Sequence, residues 1–415
     1  MRTVATRPRL ADALFGRVRW GNQFNGDFIV DPYGSQLAEA IADGPVTYHN
    51  VYQQWFVVSY EHARQLLSSD RTKASGQIET LLDVRPYSQM GERARFLFKT
   101  LLPLVDPPDH TRLRGLVNRA FTPRRVAAIE ESVTTVANRL LDDLPTGGTI
   151  DVRNGFTVPL PVDVIAQLLG VPEHLWPEVR RVTDEIVKLL DPFLGFDPTE
   201  MDAAVDDLWA FYGDLAEQRR RHPEDDLISA LVASGDDGDR LGDDELIAMI
   251  GTLMGAGYET TSGVMGAALL ALDRYPEQRQ LVLDNPDLWP NAVEELLRYD
   301  TPVKVVGRQA TADIDIAGVT IPEGANVLIS FMAAHRDESV WDDPWALRLD
   351  RPNPRPLSFG HGAHHCVGAA LARMELRVGL RALLERYPEY RIAEGDIEWR
   401  QSMALRNQER LVLTA

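Results

Sequence analysis

Cys366 is the only cysteine in 415 residues, and it closes the run Gly360–Cys366, "GHGAHHC", behind two glycines and three histidines. The residues after it, "VGAALARMELRVGLRALLERYP", repeat apolar positions at helical spacing, which predicts a helix starting close to the cysteine. At a helix start the dipole and free N–H groups favour a thiolate. Such a thiolate could attack a carbonyl with a histidine as base. It could bind zinc with His361, His364 and His365, although adjacent residues converge poorly on one tetrahedral ion. It could also be the axial ligand of a heme iron. An inert buried cysteine is the fourth reading, and the run alone does not choose among them.

A second group of chemically able residues lies in "DDELIAMIGTLMGAGYETTSGVMGAALLALDRY", from Asp243 to about Tyr275. After its first turn the stretch is apolar or small on nearly every side, which predicts a buried central helix. Gly255, Gly257, Glu259, Thr260 and Thr261 break the pattern. A glycine costs roughly 1 kcal/mol in a helix interior, and a buried carboxylate costs more unless partnered. Conflict of this kind often marks a functional site. The glycines could admit a flat ligand and let the helix bulge. A threonine could hold water where a backbone bond opens, and an acid beside an alcohol suits proton relay. The plainer alternative is close helix packing, with Glu259 capped by an arginine.

The elements that must position these groups are mostly helical. Apolar residues recur every three or four positions in 61–69, 124–144, 206–222 and 289–299. Strand patterns are confined to 44–60 and to four short runs in 305–331, with an edge strand expected at 410–415. The segment 233–245 reads as a solvated loop plus a helix N-cap. No linker divides the chain, so a single, predominantly helical domain over 1–415 is expected. One cysteine excludes a disulfide framework and fits the cytoplasm. No run is apolar enough for a signal peptide or a membrane span. With 43 Lys and Arg against 62 Asp and Glu, the net charge of −19 argues against nucleic acid and anionic membrane. It leaves room for a local basic patch that meets an acidic protein.

Three motifs in a fixed order carry a family resemblance. "FGHGAHHCVGAALA" meets every fixed position of F-G-x-G-x-H-x-C-x-G-x-x-x-A with Phe359, Gly360, Gly362, His364, Cys366, Gly368 and Ala372. "AGYETT" (Ala256 to Thr261) and the Glu295–Arg298 pair of "EELLR" precede it. The chain thereby resembles the cytochromes P-450, of soluble bacterial type, over nearly its whole length. The resemblance implies a mainly α fold: a large helical domain with small β-sheets and a long central helix (about 243–275) over the heme. It implies heme b (iron protoporphyrin IX), with Cys366 in the loop 359–368 as the metal ligand. Phe359 and Gly360 would shape that loop, and Gly368 would leave room for the porphyrin. Ala256 would face the cofactor, and His110, Arg114, Arg308 and His364 would hold its propionates. Glu259 and Thr260 would deliver protons, and Glu295 and Arg298 would form a buried ion pair.

The implied activity is a heme-thiolate monooxygenase that hydroxylates or epoxidises a hydrophobic small molecule with dioxygen. A lipid, steroid, terpenoid or polyketide-like substrate is expected. Electrons would come ultimately from NAD(P)H, through a ferredoxin or flavodoxin with its reductase, to a cytoplasmic monomer. Arg112, Arg119, Arg124, Arg125 and Arg373 would form the docking patch. Segments 76–104, 187–201, 303–306 and 403–405 would wall the substrate pocket. A peroxide-driven peroxygenase, a catalytically silent docking module and a cysteine hydrolase are the rivals; the intact Glu259–Thr260 pair opposes the first. Three residues depart from similar chains. Pro356 replaces a frequent histidine and His335 an asparagine, both bearing on loop packing. Lys304 replaces a glutamine and is expected to point outward, or to meet an acidic substrate group.

Overall fold

The computed structural model describes residues 33–49, 54–83, 85–190, 195–234 and 240–415. Its axis is helix α4 (Asp243–Arg274), 32 residues long and therefore roughly 48 Å from end to end. Around it stand α1 (Asp109–Ala120), α2 (Trp176–Val187), α3 (Pro198–Arg221), α5 (Trp289–Tyr299), the short α6 (Phe331–Ala334) and α7 (Ala369–Arg386). Leu246 to Leu272 is buried throughout except at Ala256, Gly257 and Thr260. The all-round apolar pattern is thus satisfied by neighbours on every side.

The sheets lie beside this helical body. A five-stranded sheet has the order β1-β2-β8-β5-β3, from β1 (Val46–His49), β2 (Gln54–Val57), β3 (Thr72–Lys73), β5 (Val305–Ala310) and β8 (Asn326–Ser330). β6 (Ile314–Ile316) and β7 (Val319–Ile321) form a separate hairpin. The third sheet runs β4-β10-β9, from β4 (Thr149–Asp151), β9 (Ile397–Trp399) and β10 (Gln408–Thr414).

Three expectations need correction. β10 is the central strand of its sheet rather than an edge, because it pairs with β4 and β9. Strands also occur outside the two expected regions: β3, β4 and β9 have two or three residues each, too few for alternation to register. The stretch 124–144 is two helices, Pro123–Ala128 and Glu130–Asp142, parted at Ile129 by a 3₁₀-type bond to Val126 O (3.3 Å).

The glycines of α4 serve packing. A Cβ on Gly263 would lie 2.0 Å from Asn407 Oδ1, and one on Gly266 2.3 Å from Gln408 Oε1. The chain leading into β10 therefore rests directly on the helix backbone. Gly255 meets Val187 and Thr183, and Gly257 meets Ile165. The helix continues through both without a bulge. The plainer reading of this pair, close helix contact, is the one the structure supports.

Candidate active site

The cysteine loop is built on tight backbone turns. Gly360 N–H donates to Leu357 O at 2.7 Å, and Cys366 N–H to Phe359 O at 2.8 Å. Gly360 (φ +69°) and Gly362 (φ +71°) are left-handed, a conformation costly for other residues. A Cβ on Gly362 would also fall 2.5 Å from Leu67 O. Cys366 stands two residues before the Gly368 N-cap of α7, so it precedes the helix instead of starting it. The residue is accessible, yet its sulfur is deep enough that burial pushes the thiol up. The Gly368 N–H, Arg114 and Arg373 pull in the other direction. The Arg373 guanidinium lies 4.3 Å from the Phe359 ring centroid and pairs with Glu294. Among the described residues no three His, Cys, Asp or Glu side chains are grouped to hold a metal ion, which removes the zinc reading.

Beside the loop two histidines and two arginines are gathered. The His110 and His364 rings are 4.0 Å apart. Arg114 Nη2 donates to His365 O at 2.6 Å, and the buried Arg308 Nη1 to Gly307 O at 2.7 Å. Burial, then Arg308 and His110, push His364 down to about 4. Burial followed by Arg114 lowers His110. Asp106 is the carboxylate acting on His110, His364 and Arg308. Its own oxygens already accept the Ala74 and Ser75 N–H groups at 2.7 and 2.9 Å. The buried His110 Nε2 has no hydrogen-bond partner. Two guanidinium groups, Arg114 and Arg308, beside two imidazoles whose protonation burial and those arginines oppose, one of them with an orphaned nitrogen, suit an anion such as a carboxylate. A propionate-bearing heme, with a soft sulfur donor at its iron, fits these residues.

On α4, Ala256 and Thr260 lie four residues apart on one face; Ala256 is exposed and Thr260 partly so. The Thr260 hydroxyl donates to Ala256 O at 3.0 Å, which leaves its oxygen free to accept. Glu259 points elsewhere. Its carboxylate is buried, ion-paired to Arg400 and bonded to Asn407 Nδ2. The expected arginine cap is therefore present, supplied from just beyond β9. The adjacent Tyr258 hydroxyl donates to Asp184 on α2.

Sequence reasoning missed Arg400, Asn407 and two further residues. One is Arg351. Glu295 and Arg298 are fully buried and paired side-on at 2.7 and 2.8 Å, and Arg351 Nε adds a second guanidinium to Glu295 at 3.0 Å. The other is Glu375 on α7, 1 % exposed, with neither carboxyl oxygen hydrogen-bonded. Burial holds it protonated well above the ordinary carboxyl range, and the nearby Thr261 hydroxyl offsets this only in part. Above about pH 4.5 the folded state keeps a proton that the unfolded chain releases, so this group lowers stability as pH rises. Glu375→Gln should therefore be more stable than the wild type at neutral pH. The gap should widen by about 1.4 kcal/mol per pH unit until the native carboxyl ionises. Urea unfolding from pH 4 to 8 checks this; parallel curves would refute a neutral Glu375.

Lys304 corrects its expectation. It is 1 % exposed, with Nζ donating to Ser402 O at 2.7 Å, and so points inward. In the pocket segments, Ile78, Leu82, Met90, Phe98 and Leu189 are buried in the main core, whereas Leu81, Phe96 and Phe196 are partly open. Phe193 and Leu194 lie outside the described residues. Of the docking arginines, Arg112, Arg125 and Arg373 pair with Glu245, Asp225 and Glu294, and Arg124 is exposed.

A helical body with small sheets and one accessible cysteine in a glycine-turned loop beside these histidines and arginines fits a heme-thiolate protein. A sequence profile of the family Cytochrome P450 matches residues 151–398. Vitamin D(3) 25-hydroxylase of Pseudonocardia autotrophica is 37% identical over 404 residues, covering 94% of this chain and 95% of that protein. The 6-deoxyerythronolide B hydroxylase of Saccharopolyspora erythraea is 38% identical over 394 residues, covering 92% and 96%. The crystal structure of P450BioI in complex with hexadec-9Z-enoic acid ligated acyl carrier protein superposes with a TM-score of 0.85. Its identity is 31%, over 94% of this chain and all of that one. The chain belongs to the cytochrome P450 family and is a P450 monooxygenase. Among the described residues no helix is long and apolar enough to cross a membrane.

Proposed function

We propose that this enzyme hydroxylates a bulky lipophilic molecule, with Cys366 as the heme ligand and an external ferredoxin or flavodoxin system passing electrons from NAD(P)H. The observation that carries the site assignment is the His110–Arg114–Arg308–His364 cluster beside an accessible Cys366. The substrate class is supported by relatives named for vitamin D(3) and 6-deoxyerythronolide B and by the apolar side chains of 78–98.

When bound, the heme supplies dioxygen activation and C–H oxidation. The chain's own residues do the rest. His110, Arg114, Arg308 and His364 hold the propionates, and Ala256 gives the ring room along α4. Phe359 and the Gly368 N–H shield and temper the sulfur. Thr260 presents a hydroxyl oxygen on the open face of α4 and holds a proton there. Glu259, restrained by Arg400 and Asn407, sits behind it as the acid nearest in sequence. Thr260→Ala should leave heme content and substrate-induced spectral shifts unchanged. Product per NAD(P)H should fall on the order of 10-fold as reducing equivalents leave as peroxide. Unchanged product yield would overturn the role given to Thr260.

A further inference from the structure

His335 is the departure that the structure turns into a connection. It caps the C-terminus of α6, and its ring is fully buried. Its main-chain oxygen accepts Arg298 Nη1 at 2.9 Å, so it belongs to the Glu295–Arg298 network. Its ring nitrogen Nε2 accepts the Leu357 N–H at 2.7 Å. Leu357 opens the cysteine loop: its carbonyl takes the Gly360 N–H, and Phe359 O takes the Cys366 N–H. One residue thus links the buried ion pair, through its main-chain oxygen, to the backbone that presents the sulfur, through its side chain.

The link works only in one protonation state. An imidazole that accepts at Nε2 must be neutral and carry its proton on Nδ1. Burial, with Arg298 and Arg336 close by, keeps the ring neutral by lowering its proton affinity far below the usual histidine range. Nδ1 has no hydrogen-bond partner, and the Trp341 ring meets the imidazole edge-on, with centroids 6.4 Å apart. A buried, singly bonded imidazole is a poor choice for stability alone. The bond it makes is what the position gains. The asparagine of similar chains is shorter and cannot reach the same point from the same backbone; glutamine places an amide oxygen near where Nε2 stands.

We propose that His335 is a positioning residue for Cys366, acting through the Leu357 N–H to set the start of the thiolate loop. The inference rests on the heme-thiolate reading above. Its test uses the reduced, carbon monoxide-bound holoenzyme, in which thiolate and thiol ligation have different Soret bands. His335→Leu should convert from the thiolate to the thiol form about tenfold faster than wild type, the scale of losing one buried outer hydrogen bond. His335→Gln should restore the wild-type rate. Equal rates in His335→Leu and wild type would overturn the proposal, as would a Gln variant as fast as the Leu variant. Should the Leu variant not fold, the wild type alone decides. Slow exchange of the Leu357 amide and ring-nitrogen NMR shifts of a neutral Nδ1–H imidazole support the link; a fast amide or the other tautomer refutes it. A wild type without any thiolate band overturns the heme-thiolate reading, and this inference with it.

Discussion

Glu295→Gln is expected to destabilise the enzyme by about 3–5 kcal/mol, a large fraction of the roughly 5–15 kcal/mol an ordinary domain has. The carboxylate receives two guanidinium groups, from Arg298 and Arg351, and the Arg348 N–H at 3.0 Å. Removing its charge leaves two buried cations facing a neutral amide. They cannot turn to water, because Arg298 is also bonded to His335, Pro344 and Ala346 carbonyls. Arg351 is likewise held by Asp342, Asp343 and Ala346 carbonyls. The amide is nearly the same size, so packing does not confuse the result. Urea unfolding should show the loss as a lower midpoint with an unchanged slope. Arg298→Met should cost a similar amount, and the double variant ~1 kcal/mol or more less than the sum of the two. Additive single losses below about 1 kcal/mol would mean that the pair is a bystander.

The same network shows where sequence reading stops. Glu295 and Arg298 were legible because one helical turn separates them. Arg351 was not, since its contact spans 56 residues of sequence and depends on how the chain after α6 returns. Arg400 and Asn407 lie 141 and 148 residues from Glu259, and nothing in their local pattern distinguishes them from surface polar residues. Long helices and complete motifs were readable: α4 ends within a residue of its expected bound, and α5 matches its expected run. Short strands were not, because two or three residues cannot display a period.

Local rules also misled in instructive ways. A lysine in a strand-leading segment is ordinarily solvated; Lys304 is buried because the turn at Ser402 offers it a carbonyl. Gly255 and Gly257 looked like room for a ligand, and they are room for Val187 and Ile165. The residue between them, Ala256, is the one on the open face. Glutamate 375 carried no signal at all: within an amphipathic helix a charged residue is assigned to the outer face, and only the packing of α7 shows it buried.

Cys366→Ala is expected to abolish monooxygenase activity to background while leaving the polypeptide folded. The substitution removes one atom from an accessible residue. What disappears is the sulfur, and with it three local influences lose their object. The Gly368 N–H, Arg114 and Arg373 all act to lower the thiol's proton affinity against burial, an arrangement useful only if the sulfur works as an anion. The loop turns at Gly360 and Gly362 hold the position whether or not the sulfur is there. Heme should still be drawn in by His110, Arg114, Arg308 and His364, less tightly and without a thiolate-type carbon monoxide spectrum. Cys366→Ser should behave alike, since an alcohol stays protonated where a thiol ionises. Far-UV circular dichroism should match the wild type in both. Monooxygenase activity persisting in Cys366→Ala would refute the site, because no other cysteine exists in the chain to supply the sulfur. Loss of heme from a variant with His110, Arg114, Arg308 and His364 all replaced, with Cys366 intact, would separate what holds the cofactor from what tunes it.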